Sequence, residues 1–141
     1  EERMDAVTKV LAHFRPASCV AFCFTKQQVQ ETVDHLTAMG LTVLDRNWRC
    51  RYGELDIIAV DGSVLVVVEV KTRASRMYTD PAEAVTPDKL AKMRRATRVW
   101  LAQQEAWFPT IRFDVIAIQL DPVDPTDLTR AGLRHHVGVF V

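Results

Sequence analysis

The chain predicts an α/β fold, a mixed sheet flanked by helices. Three observations carry this. Ile57–Val60 and Val64–Val68 are β-branched apolar runs, each of strand length, joined by Asp61-Gly62-Ser63, a strong hairpin signal. Apolar residues at helical spacing lie on either side of that pair: Val29, Val33 and Leu36 before it, Leu90, Met93, Thr97, Trp100 and Leu101 after it. Stop and start signals fall between these patterns, Gly40 after the first helix and Thr86-Pro87 before the second. At 141 residues the chain fits one domain, 1–141, with a sizeable core.

The elements follow in order. Met4, Val7, Val10 or Leu11, and Phe14 fall at helical spacing within residues 2–14, and Pro16 ends that helix. Cys19–Phe24 is a short continuous apolar run, expected as a buried strand added at a sheet edge. Thr25-x-x-Gln28 is a capping-box pattern that opens a helix over 26–39. Strands are expected at 41–47, 54–60, 65–71 and 112–120, and a long helix at 87–104. Asp121-Pro122-Val123-Asp124-Pro125 reads as a loop, and His136–Val141 as a short edge strand. There are no repeats and no low-complexity segments.

The chemistry concentrates in Gly53-Glu54-Leu55-Asp56 and Glu69-Val70-Lys71. Side chains alternate along a strand, so Glu69 and Lys71 share one face, and a registered hairpin brings Asp56, Glu69 and Lys71 together at its open end. Neighbouring carboxylates repel unless a cation sits between them. Hard oxygen ligands suit Mg²⁺ or Mn²⁺. Such an ion polarises a phosphate oxygen and lowers the pKa of bound water, and a lysine beside it stabilises developing negative charge. Glu69 follows five consecutive apolar residues, and a carboxylate there is costly without a partner. The plainer alternative makes Glu69 and Lys71 the polar face of a strand.

Formal net charge is zero, so no global field draws the chain to nucleic acid. Residues 41–110 nevertheless hold eleven Lys/Arg against nine Asp/Glu. Arg46, Arg49 and Arg51 precede the first motif, Lys71, Arg73 and Arg76 surround the second, and Lys89 opens a basic helix. Basic patches beside an acidic pocket fit phosphate-backbone contact; a solvated helix face is the other reading of the helical cations. Trp48 and Tyr52 either stack on bases or pack at a strand end. Asp114 suits a structural pairing with a helix cation. His135 and His136 suit a loop or edge strand, and Glu83 a position near the site. Three cysteines without zinc-like spacing read as reduced, which makes the cytoplasm the expected compartment. No stretch reaches membrane-spanning length and no signal peptide is visible. No G-x-x-x-x-G-K-[ST] occurs, so no ATP is expected.

Asp-x(12)-Glu-x-Lys on a hairpin resembles the PD-(D/E)xK nuclease core. More closely, residues 41–120, and with them the segment ~37–141, resemble the YraN family of endonuclease-like bacterial proteins. The resemblance is carried by Leu44 through Ala59, by Val68-Glu69-Val70-Lys71-Thr72-Arg73, by Pro81 through Lys89, and by Arg112 through Ala117. It implies a restriction-endonuclease-like fold, with Asp56 and Glu69 as metal ligands, the Val70 carbonyl completing the shell, and Lys71 as the catalytic lysine. Arg46, Arg49, Arg51, Arg73 and Lys89 would hold the nucleic-acid backbone, DNA in the first instance.

Residues ~1–36 resemble something else. Ala12 through Lys26, with Phe22-Cys23-Phe24-Thr25-Lys26 at its end, is similar to the start of the second RecA-like domain of DEAD-box RNA helicases of the DbpA type. The chain therefore reads as a chimera, a helicase-like β-α segment joined to a nuclease-like core. YraN-like proteins usually carry a Gly-Glu pair in their first helix. Val29 stands at that acid's position, and Glu31 lies roughly 200° around the helix from it. Three functions remain open: a metal-dependent nuclease weakened or lost at the replaced helix, a module that binds nucleic acid without cutting it, and a chimera with no activity.

Overall fold

The computed structural model describes residues 25–73 and 85–139; the helix expected at 2–14 and the strand expected at 19–24 lie outside them. The described chain runs α1 (Thr25–Ala38), β1 (Thr42–Cys50), β2 (Gly53–Asp61), β3 (Val64–Arg73), α2 (Pro87–Ala102), β4 (Thr110–Gln119) and β5 (Gly132–His136), with one 3₁₀ turn at Leu128–Arg130. The five strands form a single sheet in the order β1-β2-β3-β4-β5. Every pairing is antiparallel except β3 with β4. That one is parallel because the segment carrying α2 returns the chain to the same end of the sheet. The result is the expected mixed α/β sheet flanked by helices, compatible with a restriction-endonuclease-like fold.

Both faces of the central strands are covered, which explains why Val64–Val68 is apolar without interruption. Leu65 and Val67 join Leu55, Ile58 and Phe113 beneath Met93, Ala96 and Trp100 of α2. Val66 and Val68 join Ile57, Ala59 and Ile116 on the opposite face, against Leu36 of α1 and Leu41. Thr97 is buried within α2 but donates its hydroxyl to the Met93 carbonyl at 2.7 Å, so it leaves no polar group unsatisfied.

The junctions follow from local chemistry. α1 ends at Gly40, whose φ of +95° only glycine adopts cheaply. The Leu41 amide then reaches back to the Leu36 carbonyl at 3.0 Å, and both leucines are buried in one cluster, the hydrogen bond and apolar contact of a Schellman cap. Thr86 caps α2 by accepting from the Lys89 amide at 3.1 Å, with Pro87 in the first turn. In the β2–β3 hairpin the two-residue loop is Gly62-Ser63, with Asp61 paired to Val64. The positive φ falls on Gly62, at +62°, as the first central residue of a tight hairpin turn requires.

Two departures bear on the site. Leu55 and Ile58 share the α2 face while Ile57 faces α1, so the strict alternation of β2 breaks at Asp56. The break lies between the pairs Arg46↔Ile57 and Trp48↔Leu55, where Asn47 adopts φ +52°. Such irregularities re-aim a side chain. The edge strand expected at 136–141 is instead Gly132–His136. Its partner β4 sets that register, with Ile116 opposite His135.

Candidate active site

The last paired residues of the β2–β3 hairpin are Ile57 and Val68. One step further out stand Asp56 and Glu69, neighbours on adjacent strands. The Val70 amide donates to Asp56 Oδ2 at 2.8 Å. Burial, then the neighbouring Glu69 carboxyl, push the Asp56 carboxyl up to about 8, against the opposing pull of the Val70 amide. At neutral pH Asp56 therefore keeps its proton. Glu69 is 6% exposed. Its Oε2 accepts no hydrogen bond but lies in an ion pair with Lys89 Nζ, brought in by the first turn of α2.

A buried Glu69 and a half-buried Asp56, side by side on adjacent strands, form a donor set that fits a hard divalent cation. Among the described residues no third acid, histidine or cysteine joins them in a metal-sized cluster. Glu54 adds its charge to the surroundings of Asp56 and pairs with Arg49 at 3.2 Å. Lys71 is half-buried and lies one pleat beyond Glu69 on β3, opposite Ala117 of β4. The hairpin thus brings Asp56 and Glu69 together and leaves Lys71 alongside, roughly 6–7 Å further along the strand.

The other expected contacts divide. Arg46, Arg49 and Arg51 are exposed on β1 and its turn. Arg51 lies 4.7 Å from the Tyr52 ring centroid and donates to its hydroxyl. Trp48 and Tyr52 pack against the α2-side cluster. Arg73 is half-buried at the end of β3, where its carbonyl accepts from the Leu120 amide at 2.7 Å. Lys89 faces Glu69, a partner hidden from sequence reading because the two lie twenty residues apart. Val29 is half-buried and Glu31 exposed on α1.

A second polar cluster lies on the α1 side of the sheet. Asp114, fully buried, accepts from Arg112 at 2.9 and 3.1 Å, from His135 Nε2 at 2.8 Å and from the Gly138 amide at 2.9 Å. Its partners are thus a neighbour on its own strand and the edge strand, not the helix cation expected from sequence. Burial alone would raise its pKa, but the His135, Arg112 and Gly138 bonds together hold it below the ordinary carboxylate range. With Nε2–H committed to that carboxylate, His135 turns its Nδ1 to His35 Nε2 on α1, 3.1 Å away. Burial and then the charge of His135 hold the His35 pKa down. The alternation of Phe113-Asp114-Val115 signalled a buried acid, but nothing in the sequence signalled the histidine pair.

The chain is similar in sequence to known proteins. A "UPF0102 protein" of Mycolicibacterium vanbaalenii is 50% identical over 91 residues, covering 64% of this chain and 75% of that protein. One from Mycobacterium avium is 56% identical over 90 residues, 62% of this chain and 70% of its own. One from Mycolicibacterium smegmatis is 52% identical over 90 residues, 62% and 73% respectively. Residues 30–118, which carry α1 from Gln30 onward, the hairpin acids, α2 and nearly all of β4, match the family described as Uncharacterised protein family UPF0102, and the chain belongs to that family.

Proposed function

We propose that this chain is a divalent-metal-dependent phosphodiester hydrolase acting on nucleic acid, DNA in the first instance. The observation that supports it most is the Asp56–Glu69 pair at the break in β2, two acids on adjacent strands with Glu69 buried and Asp56 half-buried. Asp56 and Glu69 would hold Mg²⁺ or Mn²⁺, with the Val70 carbonyl as a further oxygen. When bound, that ion supplies Lewis-acid polarisation of the phosphate and a more acidic water. The Val70 amide fixes Asp56 Oδ2 toward the hairpin's open end. Lys71 orients the attacking water and stabilises charge on the phosphate. Arg46, Arg49 and Arg51 lie on the exposed rim where backbone phosphates would pass, and Arg73 follows Lys71 on β3. Because the motif is shared with a family whose activity is unassigned, the reading rests on the site rather than on the fold.

The test is cleavage of plain and branched DNA with Mg²⁺ or Mn²⁺ by the wild type and by Asp56→Asn, Glu69→Gln and Lys71→Ala. Metal-dependent cutting lost in all three variants supports the proposal; cutting that survives them refutes it. A second reading, nucleic-acid binding without cutting, is favoured by Val29 standing at the helix position where related proteins are expected to carry an acid. Salt-dependent binding with no metal-dependent turnover selects it. A third reading makes the chain a chimera without activity. Its support is that the family match starts at residue 30, so the helicase-like text of residues ~1–36 lies mostly ahead of it.

A further inference from the structure

Lys89 sits in the first turn of α2, its amide bound by the Thr86 cap. A cation is unfavourable there, because the helix dipole presents its positive end. The helix therefore does not account for Lys89, but the pocket does. Glu69 is almost entirely removed from water, its Oε2 accepts no hydrogen bond among the described residues, and the Lys89 ammonium lies directly against that oxygen. The two ends of the ion pair differ in burial: the Glu69 side chain is 7% exposed, the Lys89 side chain 42%. The acid is fixed, and the lysine reaches in from solvent along a flexible stem. Arg112 on Asp114 makes the contrast, a forked pair on a fully buried acid with further donors around it.

We infer that Lys89 is the built-in counter-cation of the Asp56–Glu69 pocket, neutralising Glu69 while no divalent ion is bound and leaving it when one enters. The inference rests on the reading of that pair as the metal site. The ammonium and a metal ion would compete for one carboxylate oxygen, so binding is an exchange of cations. Once released, Lys89 lies at the N-terminus of α2 beside the site, where its ammonium favours a phosphate. The phosphate contact expected of Lys89 from sequence thus becomes conditional on metal loading.

The experiment is Mn²⁺ titration of the full chain at low salt, followed by the electron paramagnetic resonance signal of free Mn²⁺, for the wild type, Lys89→Met and Asp56→Asn. Lys89→Met keeps the stem and removes the charge. It is expected to bind Mn²⁺ roughly tenfold or more tightly than the wild type, the order of magnitude of one coupled charge contact, and Asp56→Asn is expected to lose binding. Equal or weaker binding by Lys89→Met overturns the inference; if the wild type still cuts DNA with metal, the active-site reading survives that result. No Mn²⁺ bound by any of the three proteins removes both. Should Lys89→Met not fold, the wild type decides alone. The Lys89 ammonium nitrogen–proton resonance, protected by the ion pair, is expected without metal and lost to solvent exchange at saturating Mg²⁺. Its persistence would overturn the inference.

Discussion

Replacing Asp114 should cost more stability than any other single polar change on the α1 side of the sheet. The carboxylate is fully buried and accepts four hydrogen bonds, two from Arg112 and one each from His135 and the Gly138 amide. In Asp114→Ala, Arg112 recovers part of its loss, because its side chain is 23% exposed and Asp61 lies 3.5 Å from Nη1. The His135 side chain, 5% exposed, and the Gly138 amide have no such recourse. Two unrecovered bonds to a charged acceptor, at about 1.5–2.5 kcal/mol each, give a loss of about 3–5 kcal/mol. For a chain of this size that is about 10–20 °C in Tm. Asp114→Asn keeps one acceptor oxygen and should lose about half as much. The pH dependence supplies an independent check. The folded carboxyl is held below its ordinary value, so on acidification the unfolded chain takes up the proton first. The contribution is intact above the ordinary carboxylate range and disappears as pH falls through the folded value. Urea unfolding at pH 7 and across the acid range measures both effects. An Asp114→Ala loss below about 1 kcal/mol, or an Asp114→Asn protein as acid-sensitive as the wild type, would refute the reasoning.

Three further outcomes follow from the geometry. Asp56 is pushed up to about 8, so Mn²⁺ binding below that pH must release its proton; apparent affinity should rise up to about tenfold per pH unit toward 8 and then flatten, as calorimetry in buffers of different ionisation enthalpy would show. Gly40→Ala forces a side chain into φ +95° with open space around it, so the cost is conformational, about 1–2 kcal/mol by chemical denaturation. If Arg46, Arg49 and Arg51 hold phosphates, changing all three to Ala should flatten the salt dependence of DNA binding by roughly two to three units of log–log slope, measured by fluorescence anisotropy.

Much of the fold was legible because its strands are buried on both faces. Val64–Val68 and Ile57–Val60 carry no face ambiguity, and the caps at Gly40 and Thr86-Pro87 are local events between near neighbours. β5 was displaced in the reading because Gly132–His136 is short and largely polar; its position comes from pairing with β4, a contact between segments some twenty residues apart. Asp56 and Glu69 were legible as a pair because one tight hairpin joins them. Lys89 was legible as a cation but not as Glu69's partner, since α2 had first to fold back over the sheet.

Two acids on adjacent strands, the hairpin between them and the helices around it follow from the sequence alone, because alternation, turn chemistry and capping act over a few residues. The tertiary structure decided the rest. It broke the alternation of β2 at Asp56, buried Glu69 against a lysine from α2, and closed Asp114 between Arg112 and His135. Those outcomes depend on which charges meet once water is excluded, and no local pattern specifies that.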